Sequence, residues 1–472
     1  MNNIKEKIYC IGLCIFVIIS SIVFTKVTNV NGINILLSVL LIIIILSFII
    51  HSDFLIVISV LLFGFMREFF IYNLRMPRMT SYILDLLIMI LLFKIIIRVK
   101  NKKNLNKVSL VFFVGFTIIA IFSFITTNSS LNGLKSSFYS DYLRYFIIYI
   151  SIISLNITDK QVKSIINIFI IFIFLQVPAV LWQIDNVVVR ETSKYVIEDY
   201  YSGLLGGKAT AELGLLITIV IAYYYGLVVT KQKSIIKFLG IVLILLIPVF
   251  ISEIKVIMVL MPLVIILISL FQLKNLKGII AMSVIILISI FGMRYLMIMY
   301  PKFGELFGNL DNVIAIGTHN YAGSGLSRLD GIPIAISNIR GSLYSLIFGN
   351  GPGYGVMSYN GLYQFRIFYF PYLISEYGIS GFLILISFYI YHLILSLRLM
   401  YSSSKEQKVI GIMGVALVFV VIFSGIYSMG MVKSNFAVPV WILLGIISKV
   451  WYEKLFIIRG SNEDDKYNNS SI

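Results

Sequence analysis

Arginine is the side chain best suited to hold a phosphate-type anion, because it stays charged and presents a planar, two-pronged donor. Residues 327–353, SRLDGIPIAISNIRGSLYSLIFGNGPG, carry Arg328 and Arg340 ahead of a glycine cluster at Gly349, Gly351 and Gly353. Leu329, Ile332, Ile336, Ile339, Leu343 and Leu346 recur three and four apart, which predicts one amphipathic helix. Pro333 fits its first turn and Gly349 ends it. Arg340 falls beside the apolar stripe, and Arg328 stands at the helix start, where free N–H groups and the dipole favour an anion. Two readings follow. One is an interfacial helix whose arginines snorkel to headgroups. The other is an anion clamp whose glycines let the backbone approach a ligand. The glycine run closes a helix instead of joining a strand to one, so it is no dinucleotide fingerprint.

Further charged residues punctuate apolar surroundings. Lys208 and Glu212 lie in YSGLLGGKATAELG (201–214), with Arg190 further back. Lys255 and Glu253 share the tight turn ISEIK, where an interfacial ion pair is as good a reading as a used one. Arg366 stands just before, and Glu376 within, the re-entry FYFPYLISEYGISGFLILI. Arg67, Glu68, Arg75 and Arg78 read as solvated anchors. His51, His319 and His392 are scattered without metal or triad spacing, and no loop contains an Asp-x-Asp pair, so no metal site and no cofactor are expected. Cys10 and Cys14, four apart without further Cys or His nearby, read as apolar filler.

What must position these residues is a bilayer-spanning bundle. The 472 residues have a mean hydropathy of +0.99 and only 12% charged residues, about half the charge of a soluble domain. Apolar runs near the length of a crossing predict an all-α polytopic membrane protein. Fourteen spans are expected near 8–25, 33–50, 54–72, 82–97, 108–126, 142–156, 164–182, 209–229, 236–252, 256–272, 278–298, 379–397, 409–428 and 435–451. Residues 1–300 thus hold eleven spans with an outer loop at 183–208, a large outer loop occupies 301–378, three spans fill 379–451, and 452–472 form a tail. The first run lacks a small-residue cleavage site and reads as an uncleaved span. With the N-terminus inside, inner segments hold 22 of the 38 Lys and Arg against 8 acidic residues, a net of +14. The outer segments keep only +3 of the total +17. The excess is an orientation signal and not a nucleic-acid surface, so both termini are expected in the cytoplasm. The end of the tail, GSNEDDKYNNSSI, reads as disordered.

The order of these features resembles the O-antigen and capsule repeat-unit polymerases, relatives of the O-antigen ligases. Four places carry the resemblance over about the C-terminal 270 residues: SGLLGGKATAELG, a loosened SEIK, the helix from Arg328 to GNGPG, and YLISEYGISG. Ten residues separate Arg340 from Gly351, a spacing similar to such loops. Departures exist. Tyr200 and Tyr201 stand where family members often carry an Arg, and the region before Glu376 reads RIFYF without the His-Asn pair of the ligases. That second departure points from ligase towards polymerase.

The resemblance implies a GT-C-like architecture and a metal-independent glycosyltransferase in the bacterial cytoplasmic membrane. Its substrate would be an undecaprenyl-pyrophosphate-linked oligosaccharide, joined at the outer face into O-antigen or capsular polysaccharide. Arg328, Arg340 and Glu376 would be catalytic, while Arg190, Lys208, Lys255, Gly349, Gly351, Gly353 and Arg366 would bind substrate. Membrane lipid, a chain-length regulator and a flippase are the implied partners. Three alternatives remain: a ligase passing polymer to the lipid A core, a lipid-linked oligosaccharide flippase, and a binding scaffold without chemistry. A flippase should show internal repeats and charges at mid-membrane, and neither stands out here.

Overall fold

A computed structural model describes residues 52–74, 76, 81–99, 107–127, 131–186, 201–272, 276–299, 327–328, 330–354 and 365–469. Among the described residues the fold is all-helical. In chain order come α1 (Asp53–Tyr72), α2 (Ser81–Val99), α3 (Lys107–Thr126), a turn and a π-helical segment (Leu134–Leu143), α4 (Arg144–Ser154), α5 (Asp159–Phe174) and α6 (Gln176–Asn186). There follow α7 (Thr210–Val229), α8 (Ile235–Ile251), α9 (Lys255–Leu270) and α10 (Leu276–Met299), then two short helices, α11 (Gly331–Ile339) and α12 (Leu343–Phe348). The chain closes with α13 (Tyr369–Met400), α14 (Lys405–Tyr427) and α15 (Ser434–Asn469).

Polar caps start some of these helices where the apolar runs begin. Ser52 accepts the Leu55 N–H, and Thr158 forms a reciprocal capping box with Gln161. Among the described residues, eight helices are long and apolar enough to cross a membrane, and α8 and α9 are shorter apolar ones. The expected spans 8–25 and 33–50 lie outside the described residues; each of the others coincides with helix. Two boundaries differ. Helix α13 starts at Tyr369, ahead of the expected 379, because Gly378 at φ 66° breaks it internally and a helical segment precedes the break. Helix α15 continues to Asn469, through most of the tail expected to be disordered.

The core is aromatic. Trp441 of α15 stacks on Phe388 of α13 with centroids 5.3 Å apart, and meets Phe146 of α4 edge-on at 4.8 Å.

Polar contacts sort the helix ends into two groups. At one end Lys94 pairs with Asp53 at 3.2 Å, Lys163 with Glu406, and Lys449 donates to the Leu155 carbonyl. Here too His392 is buried, its ring nitrogens 2.8 Å from the Phe388 carbonyl and 3.0 Å from Ser448 Oγ, which reads as interhelical glue. At the other end Lys433 pairs with Glu212, and residues 349–353 meet 375–376. Every one of these pairings joins ends that the alternating span assignment puts on one side. The charge asymmetry of the sequence predicts which side is out: cysteine at 324 should react with an impermeant thiol reagent in intact cells, and cysteine at 404 should not. The reverse pattern inverts the topology.

Candidate functional site

The end of the bundle bearing the long connection before α13 concentrates buried polar chemistry. Its first component is the π-helical segment. A π-bulge widens the helix by one residue per turn, which costs regular bonding and recurs at functional sites. Within it Ser137 and Asp141, four apart, both face α13; Ser137 is fully buried and Asp141 only 2% exposed.

The second component is the segment of α13 ahead of Gly378. The Tyr372 hydroxyl lies 2.8 Å from Asp141 Oδ2 and 3.0 Å from Ser137 Oγ. Ser137 donates in turn to Glu376 Oε2, and the Tyr377 hydroxyl sits 2.9 Å from Ser137 Oγ. A chain of hydroxyls therefore links two buried carboxylates, Asp141 and Glu376. Such a network is stable only when its members are satisfied, and here each carboxylate has named donors.

The third component is the glycine turn after α12. The Asn350 and Gly351 N–H groups donate to the Ser375 and Glu376 carbonyls at 2.9 and 3.0 Å, and the Gly353 N–H donates to Glu376 Oε1 at 3.0 Å. A Cβ at Gly349, whose φ is 78°, would lie 2.4 Å from the Glu376 backbone. The close approach of Gly349 is thus made to the chain's own re-entry segment, and that of Gly353 to Gly133. Gly351 and Gly353 donate to Glu376.

Arg366 is the exposed edge of the network. Its Nη2 lies 3.2 and 3.4 Å from the two Asp141 oxygens, and its side chain is 32% exposed. Burial works against the guanidinium charge, but Asp141 together with Tyr372, Glu376 and Tyr142 outweighs it and holds Arg366 above its ordinary range.

The single helix expected over 329–346 is two. It breaks at Arg340–Ser342, where Ser342 starts α12 with its own capping box to Ser345. Arg340 ends α11, exposed, and does not flank a continuous stripe. Ile339 and Ala335 of α11 instead pack on Phe365, Phe368 and Ile374. Arg328 precedes α11, and its guanidinium lies over the Tyr427 ring at 4.6 Å. The N-cap of α11 is Asp330, whose side chain makes no capping bond to the helix N–H groups and accepts instead from the Ser327 hydroxyl at 2.8 Å. Arg340→Ala should leave the melting temperature unchanged, since exposed substitutions stay within about 0.5 kcal/mol. A drop in activity alone would then report a lost substrate contact, whereas a drop in melting temperature would contradict this placement.

The other predicted residues lie elsewhere. Lys255 pairs with Glu253 at 3.4 Å, the ion-pair reading of that turn. Lys208 is exposed, and its carbonyl accepts from Lys433. Arg190, Arg75, Arg78, His51, His319, Cys10 and Cys14 lie outside the described residues. Arg67 is no plain solvated anchor, because its Nη1 reaches Ser434 Oγ at 3.4 Å. Among the described residues no group of His, Cys, Asp or Glu has the arrangement of a metal site.

Sequence reasoning missed Ser137, Asp141, Tyr372 and Tyr377. A signal existed: SFYSDYLRYF sets Asp141 and Arg144 at the head of an apolar run, and an ionisable residue there is a functional hypothesis by default. No family model and no curated protein matches this chain.

Proposed function

We propose that this protein polymerises undecaprenyl-pyrophosphate-linked oligosaccharide repeats at the outer face of the bacterial cytoplasmic membrane, within a fourteen-span, GT-C-like architecture. One observation carries the reading. The turn GNGPG and the re-entry YLISEYGISG, two of the four places that resemble the polymerases, are far apart in composition and purpose yet close on one buried carboxylate, Glu376.

The chemistry follows from that arrangement. The bond from the donor sugar to its pyrophosphate breaks, and a glycosidic bond forms to a hydroxyl of the acceptor repeat. The acceptor proton passes to the carboxylate network of Asp141, Tyr372, Ser137 and Glu376. The pyrophosphate leaves on its lipid carrier, its charge met by Arg366 and Arg328, with Arg340 at the exposed rim. Arginines suit this because the charge they meet grows in the transition state. The donor is already activated, so neither nucleotide nor metal enters the scheme.

A strain deleted for this gene tests the reading by gel electrophoresis of its surface glycan. Single capped repeats in place of a ladder are expected. Polymer that is made but unattached would make the protein a ligase, and loss of the outer-leaflet intermediate would make it a flippase.

A further inference from the structure

Three helix ends meet in a basic corner at the end of the bundle opposite Glu376. Lys163, near the start of α5, pairs with Glu406 in the first turn of α14. That contact brings Lys160, one turn from Lys163, together with Lys405 and Lys408, which flank Glu406. The end of α7 joins them, because a Cβ at Gly226 would lie 3.4 Å from Val409 Cα of α14. Lys231 and Lys233 follow directly after α7, and Lys233 Nζ lies 4.3 Å from the centroid of the Tyr224 ring. These three ends hold six lysines against two carboxylates, Asp159 and Glu406, so the corner keeps a positive balance.

The corner is open to its surroundings. Lys160, Lys231 and Lys405 are exposed, and the paired side chains of Lys163 and Glu406 are 50% and 57% exposed. Among the described residues, none of Lys160, Lys231, Lys233, Lys405 and Lys408 pairs with a carboxylate. Burial, and Lys237 beside it, hold Lys233 below the ordinary lysine range. Like charge crowded in this way calls for an anion, and the place says which kind. Helices α7 and α14, and α5 with its continuation α6, are each long and apolar enough to cross a membrane, so the ends that meet here lie at headgroup depth. Tyr223 and Tyr224, their rings 5.7 Å apart, add amphipathic aromatic surface of the sort found at that depth.

We propose that Lys160, Lys163, Lys231, Lys233, Lys405 and Lys408 form a binding site for the headgroup phosphate of an anionic phospholipid such as phosphatidylglycerol. Several ammonium groups on flexible stems meet a phosphodiester as point charges, without the fixed geometry an arginine fork would impose. The site stands apart from the Glu376 network and does not rest on the reaction proposed above.

The test is native mass spectrometry of the purified full chain in detergent, titrated with phosphatidylglycerol, phosphatidylcholine, inorganic phosphate or a short RNA. Phosphatidylglycerol should bind saturably and at least about tenfold tighter than phosphatidylcholine, whose headgroup carries no net charge. Lys160→Gln combined with Lys405→Gln should weaken that binding about twenty-five-fold, at about fivefold per surface lysine, and leave phosphatidylcholine unaffected. If the double variant does not fold, Lys405→Gln alone should weaken it about fivefold. Lys107→Gln is the control for charge spread over this end of the bundle. This exposed lysine starts α3, which packs on α13, and its loss should leave binding as in the wild type. The site is overturned if phosphatidylcholine binds as tightly, if the double variant binds phosphatidylglycerol like the wild type, or if Lys107→Gln weakens it as much. It is equally overturned if inorganic phosphate or the RNA binds in place of the lipid.

Discussion

Arg366→Ala is expected to reduce polymer to near single repeats, a loss of roughly a hundred- to a thousandfold in rate, the size of one transition-state donor removed. It should also lower stability. Asp141 is 2% exposed and would keep only its Tyr372 partner, so removing the arginine strands a buried carboxylate, at a cost below the about 3–5 kcal/mol of a fully buried pair because Arg366 is itself 32% exposed. These two effects separate. Arg366→Ala combined with Asp141→Asn removes the stranded charge, so the double variant should regain most of the lost melting temperature and none of the activity. Arg366→Lys keeps the charge without the planar fork and should recover part of the activity. Full polymer from a stably folded Arg366→Ala would show that this arginine only braces Asp141.

Gly378→Ala should disable the site from the backbone. Gly378 has φ 66°, a conformation that disfavours any side chain, and a Cβ there would lie 2.3 Å from the Ile347 carbonyl oxygen. The obstacle is backbone, so no side chain can swing aside. Either α13 straightens through Gly378 or the 349–353 turn lifts off, and both outcomes take the Gly353 N–H away from Glu376. Polymer should fall to near single repeats and the melting temperature should drop by several degrees, as for a strained backbone costing about 1–3 kcal/mol. Gly341→Ala is the matched control. It sits at the break between α11 and α12 with nothing within 4 Å of its Cβ position, and it should behave as wild type.

The helices were legible because a bilayer crossing needs an unbroken apolar run, and the spans tested coincide with helix for that reason. Glu376 and Arg366 were legible as charges beside such a run. What periodicity hid was local breakage. Leu343 and Leu346 continue the spacing of Ile332, Ile336 and Ile339, yet Ser342 has a capping bond that starts a new helix there. Apolar spacing alone does not reveal a cap that competes with it. The partners of Glu376 were hidden for another reason. Ser137 lies 239 positions away in sequence, on a π-helical segment that no apolar pattern announces. The glycines signalled close approach correctly, but what they approach is the chain itself.

The most direct measurement is made with the purified protein in liposomes supplied with an undecaprenyl-pyrophosphate-linked repeat, with a metal chelator present. The account predicts a ladder of lipid-linked oligomers that lengthens with time and release of undecaprenyl pyrophosphate, one per bond formed. No ladder from folded wild-type protein, or a ladder that vanishes with chelator and returns with magnesium or manganese, would contradict it.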